Sequence, residues 1–248
     1  MAAIQVKRQL QTPPQAIEFP ERDGKPMGET QTHIKQIINL VTHLERFFRH
    51  RNDVVVIGDI MLYYDPITNK KVVSPDVFVA FGIDASYLRC TWKTWEESKA
   101  PDVVFEITSK ATRKEDTRDK LAAYQSLGVQ EYFLYDPLDE YLKPPLQGYR
   151  LVEGQYERLE GERLTSQVLG LELERRGQWL GLYDPVRQEW LPTPEQETEA
   201  RLAAEARAAQ EEAARQAEAA ARRVAEARAQ ALEAELARVR EELARRGG

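Results

Sequence analysis

The chain has 248 residues, of which 42% are apolar and 31% charged, and its formal net charge is −6. That length suits one good-sized domain with an appendage. An acidic balance argues against a coat that binds nucleic acid non-specifically, because such binding depends on neutralising phosphates.

No apolar run approaches the ~20 residues of a membrane-spanning helix. The first fifteen residues lack the apolar core of a secretory signal, and the single cysteine, Cys90, cannot close an internal disulfide. A reducing cytoplasm is the expected setting, with Cys90 serving as a small buried hydrophobe.

Composition divides the chain into a polar, proline-punctuated arm over 1–28, a globular part over 29–191 and a tail over 192–248. In the globular part, residues 30–50 place Ile34, Ile37, Ile38, Val41, Leu44, Phe47 and Phe48 at helical spacing, and these form the expected core face of a first helix. A strand with a bend at Gly58 follows over 53–64, then a breaker-rich turn and a hairpin into Val72–Val73. Two β-branched runs, SPDVFVAFG and PDVVFEITS, each enter through Pro-Asp. A helix over 113–127 stops at Gly128, EYFLYD forms a strand, and hairpins turn at Glu153–Gly154 and Arg176–Gly177. This succession is mixed α/β or α+β.

Beyond Pro194 the tail is almost wholly Ala, Glu and Arg, with no Gly or Pro until Gly247. Such composition forms helix strongly. Ala225, Ala229, Leu232, Leu236, Val239 and Leu243 alternate steps of four and three, the seam of a coiled coil over about three heptads. A solitary helix laced by Glu–Arg pairs is the other reading.

Two carboxylates stand out. Asp76 opens one strand run, and Glu106 lies among Val103, Val104, Phe105 and Ile107, a run whose apolar character implies burial on both faces. Burying a carboxylate is costly without compensation. A divalent cation between strand-borne acids would provide it, and so would a salt bridge or an edge position. Asp116, Lys120 and Tyr124, spaced by four, share a face of the next helix, from which Lys120 could be aimed at the strand end. His33, near the start of the first helix, is the histidine expected closest to this cleft, whereas His43 and His50 read as surface or capping residues. Between the two strand runs, Tyr87, Arg89, Trp92, Lys93, Trp95 and Lys99 interleave aromatic and basic side chains. They could stack bases or pack as a satellite core.

SPDVFVAFG followed by PDVVFEITSKATRKEDTRDKLAAYQSLGVQEYFLYDP resembles the putative restriction endonuclease family of the PD-(D/E)XK nuclease superfamily. The resemblance spans roughly 29–190 and is densest over 74–137. It implies a mixed sheet flanked by helices and hydrolysis of phosphodiester bonds in DNA, with Mg²⁺ or Mn²⁺ held by Asp76 and Glu106. Thr108 stands where the superfamily carries its in-strand lysine, which transfers that role to Lys120, with Lys110 as a rival. Glu29 matches the superfamily's N-terminal glutamate. A homodimer joined through the helical tail would suit cutting both strands of a duplex. The other function compatible with Thr108 is a nuclease-like fold that binds nucleic acid or protein without cleaving.

Overall fold

The computed structural model describes residues 17–21 and 30–246. The chain divides into two compact units, Met1–Thr193 and Pro194–Gly248.

The first unit begins with α1 (Gln31–Phe47), opened by Thr30, whose hydroxyl accepts the His33 N–H. Next come β1 (Val54–Gly58), β2 (Met61–Tyr63), β3 (Val72–Val73), β4 (Val77–Phe81), β5 (Thr91–Lys93) and β6 (Val103–Ile107). A π-helical stretch, Glu115–Lys120, leads without a break into α2 (Leu121–Leu127), which Gly128 terminates in the left-handed conformation at φ 77°. The unit closes with β7 (Glu131–Tyr135), β8 (Leu146–Val152), β9 (Gln155–Arg158), β10 (Arg163–Ser166), β11 (Leu171–Arg176), β12 (Trp179–Asp184) and β13 (Glu189–Trp190).

Six strands form the central sheet in the order β1-β4-β6-β7-β8-β9, antiparallel except for the β6–β7 pair. That parallel pair requires a crossover, and α2 lies within it. β10–β13 form an antiparallel sheet, and β3-β2-β5 a smaller one. Val77, Val79, Val103, Phe105 and Ile107 pack with Leu40 and Leu44 of α1 and with Leu164, Leu171, Leu173, Leu180 and Leu182. Phe78, Ala80, Val104, Tyr132 and Leu134 face the other way, onto Tyr124, Leu62 and Trp92. β6 therefore has strands on both sides and packed layers on both faces. This accounts for its apolar run, interrupted only at Glu106.

Two sequence expectations change here, and an alternative left open in the loop before β6 is resolved towards packing. The buried side of α1 carries His33, Gln36, Asn39, Leu40, His43 and Leu44, while Ile34 and Ile38 are 47% and 53% exposed. His43 is thus interior rather than a surface residue. Cys90 is exposed, because it sits in the irregular approach to β5 and not in a packed strand. The aromatic and basic loop satisfies itself: Trp92 is fully buried with its indole N–H on Lys99 O, Arg89 pairs with Glu97 at 2.7 Å, and Lys99 pairs with Asp102 at 2.6 Å.

The second unit contains α3 (Pro194–Arg246), one uninterrupted helix. Its 53 residues span about 80 Å. Arg201–Glu205, Arg222–Glu226 and Glu241–Arg245 pair across one turn. Leu232, Leu236 and Val239 stand exposed on it.

Candidate active site

The site grows from strand register. Val77 of β4 lies opposite Phe105 of β6, so the next step outward sets Asp76 against Glu106. Directly opposed residues of an antiparallel pair project from the same face. The parity is that of Phe78, Ala80 and Val104, which places both acids on the side covered by α2. β1 extends the row: Gly58 opposes Val77, and Asp59 N donates to Asp76 O at 3.1 Å. Asp59 holds a positive φ of 50°, a conformation costly for a residue with a side chain.

From above the sheet, Lys120 Nζ donates to Glu106 Oε2 at 2.8 Å and to Ser74 O at 3.1 Å, and lies 3.5 Å from Asp116 Oδ1. Tyr124 Oη donates to Glu106 Oε1 at 2.7 Å. Both carboxylate oxygens of Glu106 are therefore held, in a residue only 1% exposed. Asp76 is held by different groups: its Oδ2 accepts the Ile107 N–H at 2.6 Å and its Oδ1 lies 3.3 Å from His33 Nε2. Asp116 is as deeply buried as Glu106, yet neither of its oxygens makes a well-formed hydrogen bond. Tyr132 Oη donates to the Asp116 carbonyl, tying this turn to β7.

The π-helical stretch sets these positions. Its wider turn carries Asp116 and Lys120, and the α-helical turn after it carries Tyr124. All three side chains are directed inward. Such wide turns recur where a helix must aim side chains at a functional site.

Four carboxylates, Asp59, Asp76, Glu106 and Asp116, thus face one ammonium and one imidazole. The imbalance shows in their proton affinities. Burial pushes the Glu106 carboxyl well above the usual range; Lys120 opposes this, while Asp76 and Asp116 add to it. Asp116 is raised by burial and by Asp76 against the pull of Lys120. Asp59 is raised by burial and by Asp76. Burial alone would lower Lys120, but Glu106, Asp116 and Asp76 outweigh it and hold the ammonium above its ordinary value.

Of the residues singled out in the sequence, the fold brings Asp76, Glu106, Lys120, Asp116, Tyr124 and His33 together. Lys110 lies exposed in the turn after β6. Glu29 falls outside the described residues. Thr108, where an in-strand lysine would stand, is buried with its hydroxyl unbonded. The ammonium over Glu106 comes instead from the helix. Asp59 escaped the sequence reading; a lone Asp after the Gly58 bend was its signal, and only the pairing of β1 with β4 gives that signal meaning.

Over residues 5–182 the chain matches the model of Uma2, described as putative restriction endonuclease. The chain belongs to this family. No functionally curated protein shows significant sequence similarity to it. Among solved structures it is similar to the crystal structure of a putative nuclease belonging to DUF820 from Anabaena variabilis, at 16% identity and TM-score 0.44, over 58% of this chain and 76% of that one. The family is one of nuclease-like proteins, and this member's mixed α/β body accords with it.

Proposed function

We propose that this Uma2 protein is a metal-dependent endonuclease that hydrolyses phosphodiester bonds in DNA. The observation that carries the reading is the excess of carboxylate over cation at the end of β4 and β6, where Glu106 and Asp116 are buried, Asp76 is half-buried and a lysine ammonium touches Glu106. A simple buried ion pair sets one acid against one base. This cluster has more acid than that, and Asp116 has only a long ion pair, 3.5 Å from a Lys120 that already serves Glu106.

The donor set fits a hydrated Mg²⁺ or Mn²⁺. Among the described residues, no group of three or more His, Cys, Asp or Glu forms a protein cage. Mg²⁺ does not need one, since it prefers one or two carboxylates with water and substrate phosphate completing its shell. Asp76 and Glu106 would hold it, each using lone pairs left over from the bonds above. When bound, the ion supplies an acidified water and a counter-charge for the phosphate in the transition state.

The remaining work belongs to the chain. Lys120 has three N–H groups and three partners, of which Asp116 at 3.5 Å is the weakest and the one most easily exchanged for a water. From that position the ammonium orients the attacking water and offsets the charge that builds on the phosphate. Tyr124 keeps Glu106 from rotating away, and His33 with the Ile107 N–H does the same for Asp76. Thr108 does not argue against hydrolysis, because Lys120 reaches Glu106 from the helix. Two copies joined along the Leu232, Leu236 and Val239 seam would present two such sites to a duplex.

The test is nicking of supercoiled plasmid in Mg²⁺ or Mn²⁺ by the full chain beside its Asp76→Ala and Glu106→Ala variants. Cleavage by the parent alone supports the reading. Equal traces of cleavage in all three would leave a nuclease-like fold that binds without cutting.

A further inference from the structure

The turn of helix that supplies Asp116 and Lys120 to the carboxylates also has an outer side. There, Arg113, Lys114, Thr117 and Arg118 form one wall of a concavity of about 260 Å³, and Tyr141, Leu142, Lys143 and Gln147 form the other. The lining holds four cations and no carboxylate, in a chain whose net charge is −6. Lys143 is already paired with Asp139 at 2.7 Å. Among the described residues, Arg113, Lys114 and Arg118 have no ion-pair partner. At Arg89, Lys99 and Arg163, by contrast, the basic side chain is neutralised by a neighbouring acid.

The far wall is held in place by the chain itself. Asp136, fully buried, accepts from Leu138 N and Asp139 N through Oδ1 and from Tyr141 N and Leu142 N through Oδ2. Four backbone bonds to one carboxylate fix the loop after β7, and Leu142 anchors it in the same core as Tyr124 and Tyr132. Arg113 Nη1 reaches across to Tyr141 O at 3.5 Å. A rigid, cationic, open cleft with hydroxyl, amide and guanidinium donors is suited to a phosphate oxyanion in a chain of phosphates, where arginine offers paired donors.

We infer that the cleft between the Arg113–Arg118 turn and the Tyr141–Gln147 segment is a phosphate clamp that grips the backbone of duplex DNA away from the bond being cut. This deepens the nuclease reading and rests on it: one helix would carry the water-orienting lysine on its inner side and the substrate-positioning cations on its outer side, so that gripping the strand also registers it against the carboxylates.

The experiment uses the full chain carrying Glu106→Gln, in EDTA, so that binding is read without cleavage. Fluorescence anisotropy of a labelled short duplex is measured over a salt series, with and without the added pair Lys114→Ala and Arg118→Ala. Both side chains are exposed and lack ion-pair partners, so the melting temperature should not move. The expected result is affinity weaker by roughly tenfold and a salt dependence shallower by about 0.9 for each phosphate no longer neutralised. Arg113→Ala alone should shift both in the same direction. Unchanged affinity and slope would overturn the clamp, as would binding of inorganic phosphate, read by phosphorus NMR, with no binding of the duplex. Plasmid cleavage by the unmutated protein is scored separately. Cleavage without an effect of the cation variants removes the clamp and keeps the nuclease, whereas a clear effect without cleavage keeps the clamp and removes hydrolysis.

Discussion

Glu106 can remain buried only because Lys120 and Tyr124 hold one carboxylate oxygen each, and this division of labour separates the two partners experimentally. Tyr124→Phe leaves Oε1 of Glu106 buried without its donor. That should cost about 1–3 kcal/mol of stability, visible in urea unfolding at unchanged slope. Lys120→Ala should lower plasmid cleavage by 10²–10³-fold, the usual scale for one preorganised charge-stabilising donor, whereas Lys110→Ala should leave most of it. Comparable losses from both lysines would return the role to the turn after β6. Acid should inhibit cleavage: Glu106 and Asp116 have raised proton affinities, so they take up protons at a higher pH than ordinary carboxylates and cease to attract a cation. Lys120, held charged, imposes no matching loss at alkaline pH.

The same shifts make a statement about stability. A carboxyl raised by folding favours the protonated native state, so its stabilising contribution is complete below the unfolded-state value and is lost as pH climbs through the folded-state value. Asp116→Asn removes that loss. Without metal, the variant should melt a few degrees higher than the parent near pH 8, and the gap should close towards pH 4. A variant less stable at pH 8 would show that the pair with Lys120 outweighs burial.

At the scale of elements, α1 shows how a helix can mislead a reader of periodicity. Ile34 and Ile38 fall on a good apolar stripe, yet the helix is rotated so that His33 reaches Asp76, and Gln36 accepts the Leu180 N–H at 3.1 Å. Specific polar partners outcompeted two isoleucines. Ile34→Gln with Ile38→Gln should accordingly change stability by no more than about 0.5 kcal/mol per site, as exposed positions do; a collapse in melting temperature would place that face in the core. The π-helical stretch is the second such element. Nothing in the spacing of Asp116, Lys120 and Tyr124 distinguishes a wide turn from an ordinary one, because four-residue steps suit both. What selects it is the requirement that the Asp116, Lys120 and Tyr124 side chains all reach one patch above β6.

Over the whole molecule, division into a packed body and a long helix predicts separable behaviour. A chain ending at Thr193 should retain a cooperative melting transition close to that of the full protein, since among the described residues no core residue lies beyond Leu191. Sedimentation of the full chain should give a dimer if α3 pairs along Leu232, Leu236 and Val239. Leu232→Asp with Leu236→Asp should then give monomers with the body's melting temperature unchanged. A full-length monomer would retire pairing through the tail and leave α3 a solitary helix.

Sequence alone carried most of the succession of strands and helices over 53–183, though not β5, β10 or the division of 53–64 between two sheets, and with it the stop at Gly128, the helical tail, and the prominence of Asp76, Glu106 and the Asp116–Lys120–Tyr124 face. Those features are written in local patterns: β-branched runs, a glycine that accepts a left-handed backbone, and charges set among apolar neighbours. Only the tertiary structure decided that Lys120 and not Lys110 meets Glu106, that Asp59 joins the row, that Cys90 is outside and His43 inside, and that the cations of the outer helix line a cleft. Each of those depends on which strands lie side by side and how far a helix is rotated, and these are set by packing between segments distant in the chain, where no local pattern reaches.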